Sequence, residues 1–182
     1  VVLYSPHLLW AILPTDVVFT NKVAPTVIPE YFGICVLQSR AHEIWARSLT
    51  ATLKDDLAYA VSDAFETFPF PDAYETNSEL EAAGQAYHDY RAQLMIDTNK
   101  GLTPTYNRFH DPYDDDPAIQ RLRNLHGDMD RAVLRAYGWD DLADAANPVF
   151  LTEETETEFT YQGRLFWPSD FRDEVLARLL DL

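Results

Sequence analysis

Two short stretches carry the side chains best suited to touch a charged polymer. Arg40, His42 and Arg47 fall within one run of eight residues, and Asn107, Arg108 and His110 within another of four. Lys22 stands apart from both. Guanidinium and ammonium groups pair with phosphate oxygens, while Arg and Asn can also reach base edges in a groove. On a helix Arg40 and Arg47, seven positions apart, share one side, with His42 off that line. The same pattern equally describes the solvated face of an ordinary helix, and spacing alone favours that plainer reading.

Covalent or metal-assisted chemistry lacks its parts. A phosphate cradle or a Gly-rich cofactor loop needs closely spaced glycines, and the six here (Gly33, Gly84, Gly101, Gly127, Gly138, Gly163) are scattered. A metal-dependent nuclease of the Glu-x-Lys kind needs a lysine two residues after an acid; Lys22, Lys54 and Lys100 have none there. Asp114-Asp115-Asp116 lacks the glycine and the final glutamate of an EF-hand loop and reads as a solvated run. His7, His42, His88, His110 and His126 show no His-Glu-x-x-His spacing, and no Gly-x-Ser-x-Gly elbow is present. Asn147-Pro148-Val149-Phe150 has the outline of an adenine-methyltransferase Asn-Pro-Pro-Tyr/Phe motif but lacks its second proline. It follows an alanine-rich helical pattern rather than a strand, so it reads as a helix-ending turn. No catalytic residue, metal ligand or cofactor-binding residue is assigned.

Charge narrows the partners. The net charge is -16, and it is lopsided: residues 1–60 hold four basic and five acidic side chains, the remaining 122 hold 10 and 25. Non-specific affinity for nucleic acid is mostly charge neutralisation by Lys and Arg, so DNA contact must come from local patches. The single cysteine, Cys35, excludes an internal disulfide and sits in the apolar run Phe32–Leu37, where it packs. That usage fits a reducing cytoplasm. No apolar run approaches the roughly 20 residues of a membrane helix, and no export signal opens the chain. The chain starts without methionine at Val1 and stops inside an apolar helical pattern, as a piece cut at both ends would.

The elements that must hold these residues suggest an α+β fold, a small β-rich N-terminal part followed by a mainly α-helical domain. Residues 17–19, 27–28 and 34–37 are β-branched or aromatic runs between Pro14, Pro25 and Pro29, and they read as short strands. From Gln38 the period changes: Ile44, Trp45, Leu49 and Leu53 fall on one helical face, Arg40, Glu43, Arg47 and Lys54 on others, with Ser39 as N-cap. Pro69 and Pro71 make residues 65–71 an aromatic-anchored linker. A helix over about 76–98 ends at Gly101, and a turn-rich loop spans 103–112. A long helix from Pro117 to Tyr137 turns Ile119, Leu122, His126, Met129 and Val133 inward and stops at Gly138. Asp140 caps a short helix, 153–158 is exposed acidic loop, and a last helix starts near Ser169. The boundaries drawn are 1–38 for the end of a recognition domain, 39–74 for helix and linker, and 75–182 for a C-terminal helical domain.

Longer strings are more specific than any of these motifs. Leu37-Gln-Ser-Arg-Ala-His-Glu-Ile-Trp-Ala-Arg47 and Ser62-Asp-Ala-Phe-Glu-Thr-Phe-Pro-Phe-Pro71 resemble the region after the target-recognition domain in MmeI-like type IIG/IIL restriction-modification methyltransferases and related BREX-type adenine methyltransferases. The resemblance continues through residues 101–112, 125–133, 136–140 and 161–168, and so covers nearly the whole chain. It departs at Ala64, where many relatives carry cysteine. The resemblance implies a parent that methylates adenine N6 with S-adenosylmethionine, with Mg2+ as a further candidate cofactor there, and that also cuts DNA in some members. This chain would hold the end of the recognition domain and most of the helical domain, with no catalytic motif and no cofactor of its own. Its implied partners are double-stranded DNA, reached through the parent, and the methyltransferase core of the same polypeptide. Lys22, Arg40, His42, Arg47, Asn107 and Arg108 are then the DNA-contact candidates. The alternative is an acidic protein-interaction or regulatory domain, suggested by the excess of acid after residue 60.

Overall fold

In the computed structural model, residues 1–182 are described except 15, 29, 50, 51, 54 and 55. Two small antiparallel sheets sit among seven α-helices formed by the described residues. Strand β1 (Tyr4–Ser5) pairs with β3 (Asp56–Ala58), which also pairs with β2 (Thr52–Leu53), so Ser5 lies opposite Leu57. Strands β4 (Val149–Leu151) and β5 (Arg164–Phe166) form the second sheet, with Phe150 opposite Leu165.

The helices are α1 (Tyr31–Gln38), α2 (Arg40–Leu49), α3 (Ser78–Thr98), α4 (Leu102–Phe109), α5 (Pro117–Ala136), α6 (Asp140–Ala145) and α7 (Ser169–Leu180). Several start where their capping chemistry dictates. The Ser39 hydroxyl accepts the His42 N–H at 3.3 Å, the N-cap bond expected of it. Asn77 accepts from the N–H groups of Glu79 and Leu80, and Asp116 from that of Ala118, with Pro117 in the first turn. On α5 the inward set Ile119, Leu122, His126, Met129 and Val133 is buried throughout.

Other expectations are corrected. Residues 34–37 belong to α1, because a helix buried on every side shows the same unbroken apolar run as a buried strand. Residues 17–19 and 27–28 form no strand. The second helix stops at Leu49, and Leu53 pairs in β2; Pro29 and Lys54 lie outside the described residues. Asn99, at φ 51°, ends α3, and Gly101 instead precedes α4, which occupies most of the presumed loop 103–112. Pro104 sits in the first turn of α4, where no helical N–H bond is lost. Trp139, not Asp140, precedes α6. Glu156 is buried in the otherwise exposed acidic stretch 153–158.

One core gathers side chains from all three stretches of the chain, among them Leu9, Phe32, Ile44, Phe68, Tyr87, Leu122, Phe166 and Leu179. Residues 8–10 are buried without a strand partner, and Gln38 takes that partner's place. Its amide donates to the Leu8 carbonyl at 2.8 Å and accepts the Trp10 N–H at 2.9 Å, while Arg91 donates to the Trp10 carbonyl at 2.7 Å. Helices α1 and α3 approach so closely at Gly84 that a Cβ there would overlap the Tyr31 carbonyl. Gly84→Ala should therefore cost about 1–3 kcal/mol through forced separation of the two helices. A urea midpoint unchanged from wild type would show that the contact relaxes freely.

Candidate nucleic-acid interface and the buried polar network

The structure separates the six candidate residues into buried and exposed sets. Arg40 is 1% exposed. Its guanidinium forms an ion pair with Asp130 of α5, donates to the Leu165 carbonyl from Nε and Nη2 at 3.3 and 3.0 Å, and meets His126 Nδ1 at 3.2 Å. Its backbone N–H also binds the Asp130 carboxylate at 2.9 Å. Phe109 and Phe166 lie 5.9 and 5.7 Å from the guanidinium carbon. Burial raises the Asp130 pKa, but Arg40 and His126 outweigh it and hold the carboxyl below its ordinary value. Arg40 is thus a structural cross-link between α2, α5 and β5, with no surface left for a phosphate.

His42 is fully buried as well. The Leu37 carbonyl can only accept, so Nδ1 carries the proton in their 2.8 Å contact, and Nε2 accepts from the Tyr59 hydroxyl at 3.1 Å. Burial pushes its pKa down to about 4 against the opposing pull of Leu37, Ala64 and Glu43. Arg47 donates twice to Glu43, at 2.9 and 2.7 Å, and lies 5.6 Å from the Tyr161 ring centre. Its Nη1 has no hydrogen-bond partner among the described residues. The expectation that Arg40, His42 and Arg47 lie on an accessible helix face is therefore corrected: α2 is enclosed by α5, α7 and the segment before Phe68.

The second stretch is closer to solvent. Asn107 is exposed, and its Oδ1 accepts from His7 Nε2 at 2.9 Å. Arg108 is partly exposed but neutralised, 2.7 Å from Asp114 and 2.8 Å from Asp116, and these bonds raise its pKa. His110 is tied inward: its Nδ1 accepts the Leu165 N–H at 3.1 Å and its ring stacks on His7 with centroids 5.0 Å apart. Burial, then the charge of Arg164, lowers the pKa well below the ordinary histidine value. Lys22 is exposed, and no side chain among the described residues pairs with its ammonium.

Sequence reasoning missed most of the buried network. Arg91, Arg123, Arg164 and Arg172 are as buried as Arg40 and Arg47, each committed to carbonyls or carboxylates. Arg123 gathers the carbonyls of Arg108, Phe109, Asp111 and Asp114; Arg164 takes those of Pro6 and Thr160; Arg172 pairs with Glu156 and Glu158 at 2.7 Å. Six guanidiniums are thereby withdrawn from any phosphate. One readable signal existed for Asp130: it falls with His126, Met129 and Val133 on the inward stripe of α5, where an acid requires a buried partner. Among the described residues, no group of three His, Cys, Asp or Glu side chains could hold a metal ion. No helix among them is long and apolar enough to cross a membrane.

An apolar groove lies in the N-terminal stretch. Residues 1–30 carry two acids, Asp16 and Glu30, and one base, Lys22. Around a groove of about 340 Å³ there, Ile12, Leu13 and Phe19 are partly to half exposed; Val18 and Val27, from the same stretch of chain, are almost wholly so.

Residues 4–72 match the family model described as MmeI, target recognition domain. Over 123 residues the chain is 26% identical to DNA methyltransferase A of Bacillus subtilis (strain 168), an alignment that covers 67% of this chain. The same alignment spans 13% of that relative's length. No solved structure matches. Lys22, Arg40, His42 and Arg47 fall inside the matched family segment; Asn107 and Arg108 fall beyond it.

Proposed function

Taking residues 4–72 as an MmeI-type target-recognition segment, we propose that the chain is a non-catalytic DNA-recognition and scaffolding part of an S-adenosylmethionine-dependent adenine-N6 DNA methyltransferase serving restriction-modification or phage defence. The observation that carries this reading is the family match itself, and the charge distribution agrees with it. The N-terminal stretch around Lys22 carries little net charge, and its exposed ammonium is available to a phosphate backbone. The exposed apolar groove beside it suits a contact with the methyltransferase core, since large exposed apolar patches mark interaction surfaces. The helical remainder, cross-linked by buried arginines, then acts as a rigid brace, and the assembly works in the cytoplasm.

The residues present do not fit the methyl donor. Gly33 and Gly84 sit at helix contacts and Gly138 and Gly163 at turns with φ of 78° and 72°, with no run of glycine N–H groups to cradle a ligand among the described residues. S-adenosylmethionine, and Mg2+ if the parent also cuts, would be held elsewhere in the parent, and no chemical step is assigned to this chain.

Lys22 is the residue whose loss should matter for binding. In the full methyltransferase, Lys22→Glu should weaken DNA binding about equally across sequences and lower the slope of log affinity against log salt by about 1. Duplex titrations at two salt concentrations, with and without S-adenosylmethionine, read both quantities. An unaltered slope removes Lys22 from the interface, and a parent that binds no duplex at all ends the DNA-recognition reading.

A further inference from the structure

A second groove, of about 450 Å³, opens between the segment joining α4 to α5 and the hairpin of β4 and β5. His110, Pro112, Phe150, Thr152, Glu153 and Phe159 are among its walls. Both rims are acidic. Glu153 is itself in the wall, Glu154 follows it in sequence, and Asp111 stands between the wall residues His110 and Pro112; all three are exposed, and none forms an ion pair with a basic side chain among the described residues. Their neighbours are ion-paired, Asp114 and Asp116 sharing Arg108, and Glu156 and Glu158 sharing Arg172, so each trio keeps one net negative charge. The groove's own cation, Arg164, is buried and donates to the carbonyls of Pro6 and Thr160, 3.9 Å from Glu43. The unpaired charge facing solvent there is therefore negative.

We propose that this groove binds a basic peptide segment, seating an arginine side chain against Phe159 and between the two acidic rims. Phe159 is 62% exposed, a ring with a face to offer. Phe150, also in the groove wall, already carries the guanidinium of Arg123 at 5.0 Å. The wall thus includes a ring that this fold itself uses to hold a guanidinium group. A polar anchor is also present: because His110 Nδ1 accepts the Leu165 N–H, the imidazole proton resides on Nε2, which donates to no acceptor among the described residues and can serve a peptide carbonyl. The rim charge that attracts arginine repels phosphate, so the groove is distinct in kind from the Lys22 face. This inference goes beyond the DNA-recognition reading and does not depend on it.

The test is fluorescence anisotropy of a short labelled arginine–glycine peptide with the full chain at moderate salt. Phe159 and Glu153 are exposed, so Phe159→Ala/Glu153→Lys should fold normally. It should weaken peptide binding about fivefold or more, while the charge-matched Ile96→Ala/Asp97→Lys on α3 should change it less than about twofold. Equal losses in both variants would reduce the effect to diffuse acidity and overturn the site. So would a wild-type chain that ignores the peptide, or a DNA duplex that displaces it with comparable affinity. The Lys22 titration is unaffected by any of these results, so the two readings fail separately.

Discussion

Replacing Asp130 by alanine should destabilise the fold by about 3–5 kcal/mol, the cost of leaving a buried cation without its counter-ion. Asp130 and Arg40 are each 1% exposed, and the carboxylate meets the guanidinium, the Arg40 backbone N–H and the His126 ring together. Removing it strands the Arg40 charge among Phe109, Phe166 and Leu165, where water cannot reach. Against a domain stability of about 5–15 kcal/mol, that loss approaches unfolding. Arg40→Met should cost as much, because it strands Asp130 instead. The double variant Arg40→Met/Asp130→Leu should recover most of either loss, since neither charge is then buried alone. Urea unfolding of the three variants gives the comparison. If the single variants cost less than about 1 kcal/mol, or the double variant costs their sum, the pair is not the cross-link its geometry indicates.

This prediction replaces the reading that spacing and the family resemblance together suggested, in which Arg40 and Arg47 contact DNA from an accessible helix face. Nothing within ten residues of Arg40 reveals its partner, because Asp130 lies 90 positions away. Local patterns were readable where local physics decides. Ser39 and Pro117 announce helix starts, and the stripe Ile119, Leu122, His126, Met129, Val133 announces which face of α5 turns inward. They were unreadable where tertiary context decides. The run 34–37 is apolar on every side because α1 is enclosed, and an enclosed helix and an enclosed strand look alike in sequence. Helix α4 was concealed by Gly101 and Pro104, two apparent breakers that occupy the N-terminal positions where helices tolerate them. The family strings agree with the match over residues 4–72 without locating a binding surface, since residues shared for packing and residues shared for binding look the same in a string. What set the DNA-contact candidates apart was burial and pairing: Arg40, His42 and Arg47 are buried, Arg108 is held by Asp114 and Asp116, and Lys22 and Asn107 remain exposed.

The buried histidines make a second large effect, on stability against pH. An unfolded histidine takes up a proton near pH 6.5, whereas folded His42 resists it down to about 4. Stability drawn from neutral His42 is therefore complete above pH 6.5 and is lost as pH falls from there toward 4, by about 1.4 kcal/mol per pH unit and about 3 kcal/mol in all. His7 and His110 act in the same direction, since burial lowers both. Asp130 and Glu43 are also held below their ordinary values, by Arg40 and by Arg47 against the cost of burial, but their contribution is lost only below the carboxylate range. Between pH 6.5 and 4.5 the histidines thus act before the carboxylates. An opposing trend comes from the surface: the net charge of -16 relaxes toward zero as pH nears the isoelectric point of about 4.4, which relieves self-repulsion. His42→Gln separates the two, because the amide can still donate to the Leu37 carbonyl but has no proton to gain. The variant should be less stable at pH 7.5 yet show a shallower fall in Tm from pH 6.5 to 4.5, leaving the surface term and the other histidines. Parallel curves for wild type and variant would mean that His42 is already protonated, or reaches solvent before the fold opens, and the acid sensitivity would then belong to His7 and His110 alone.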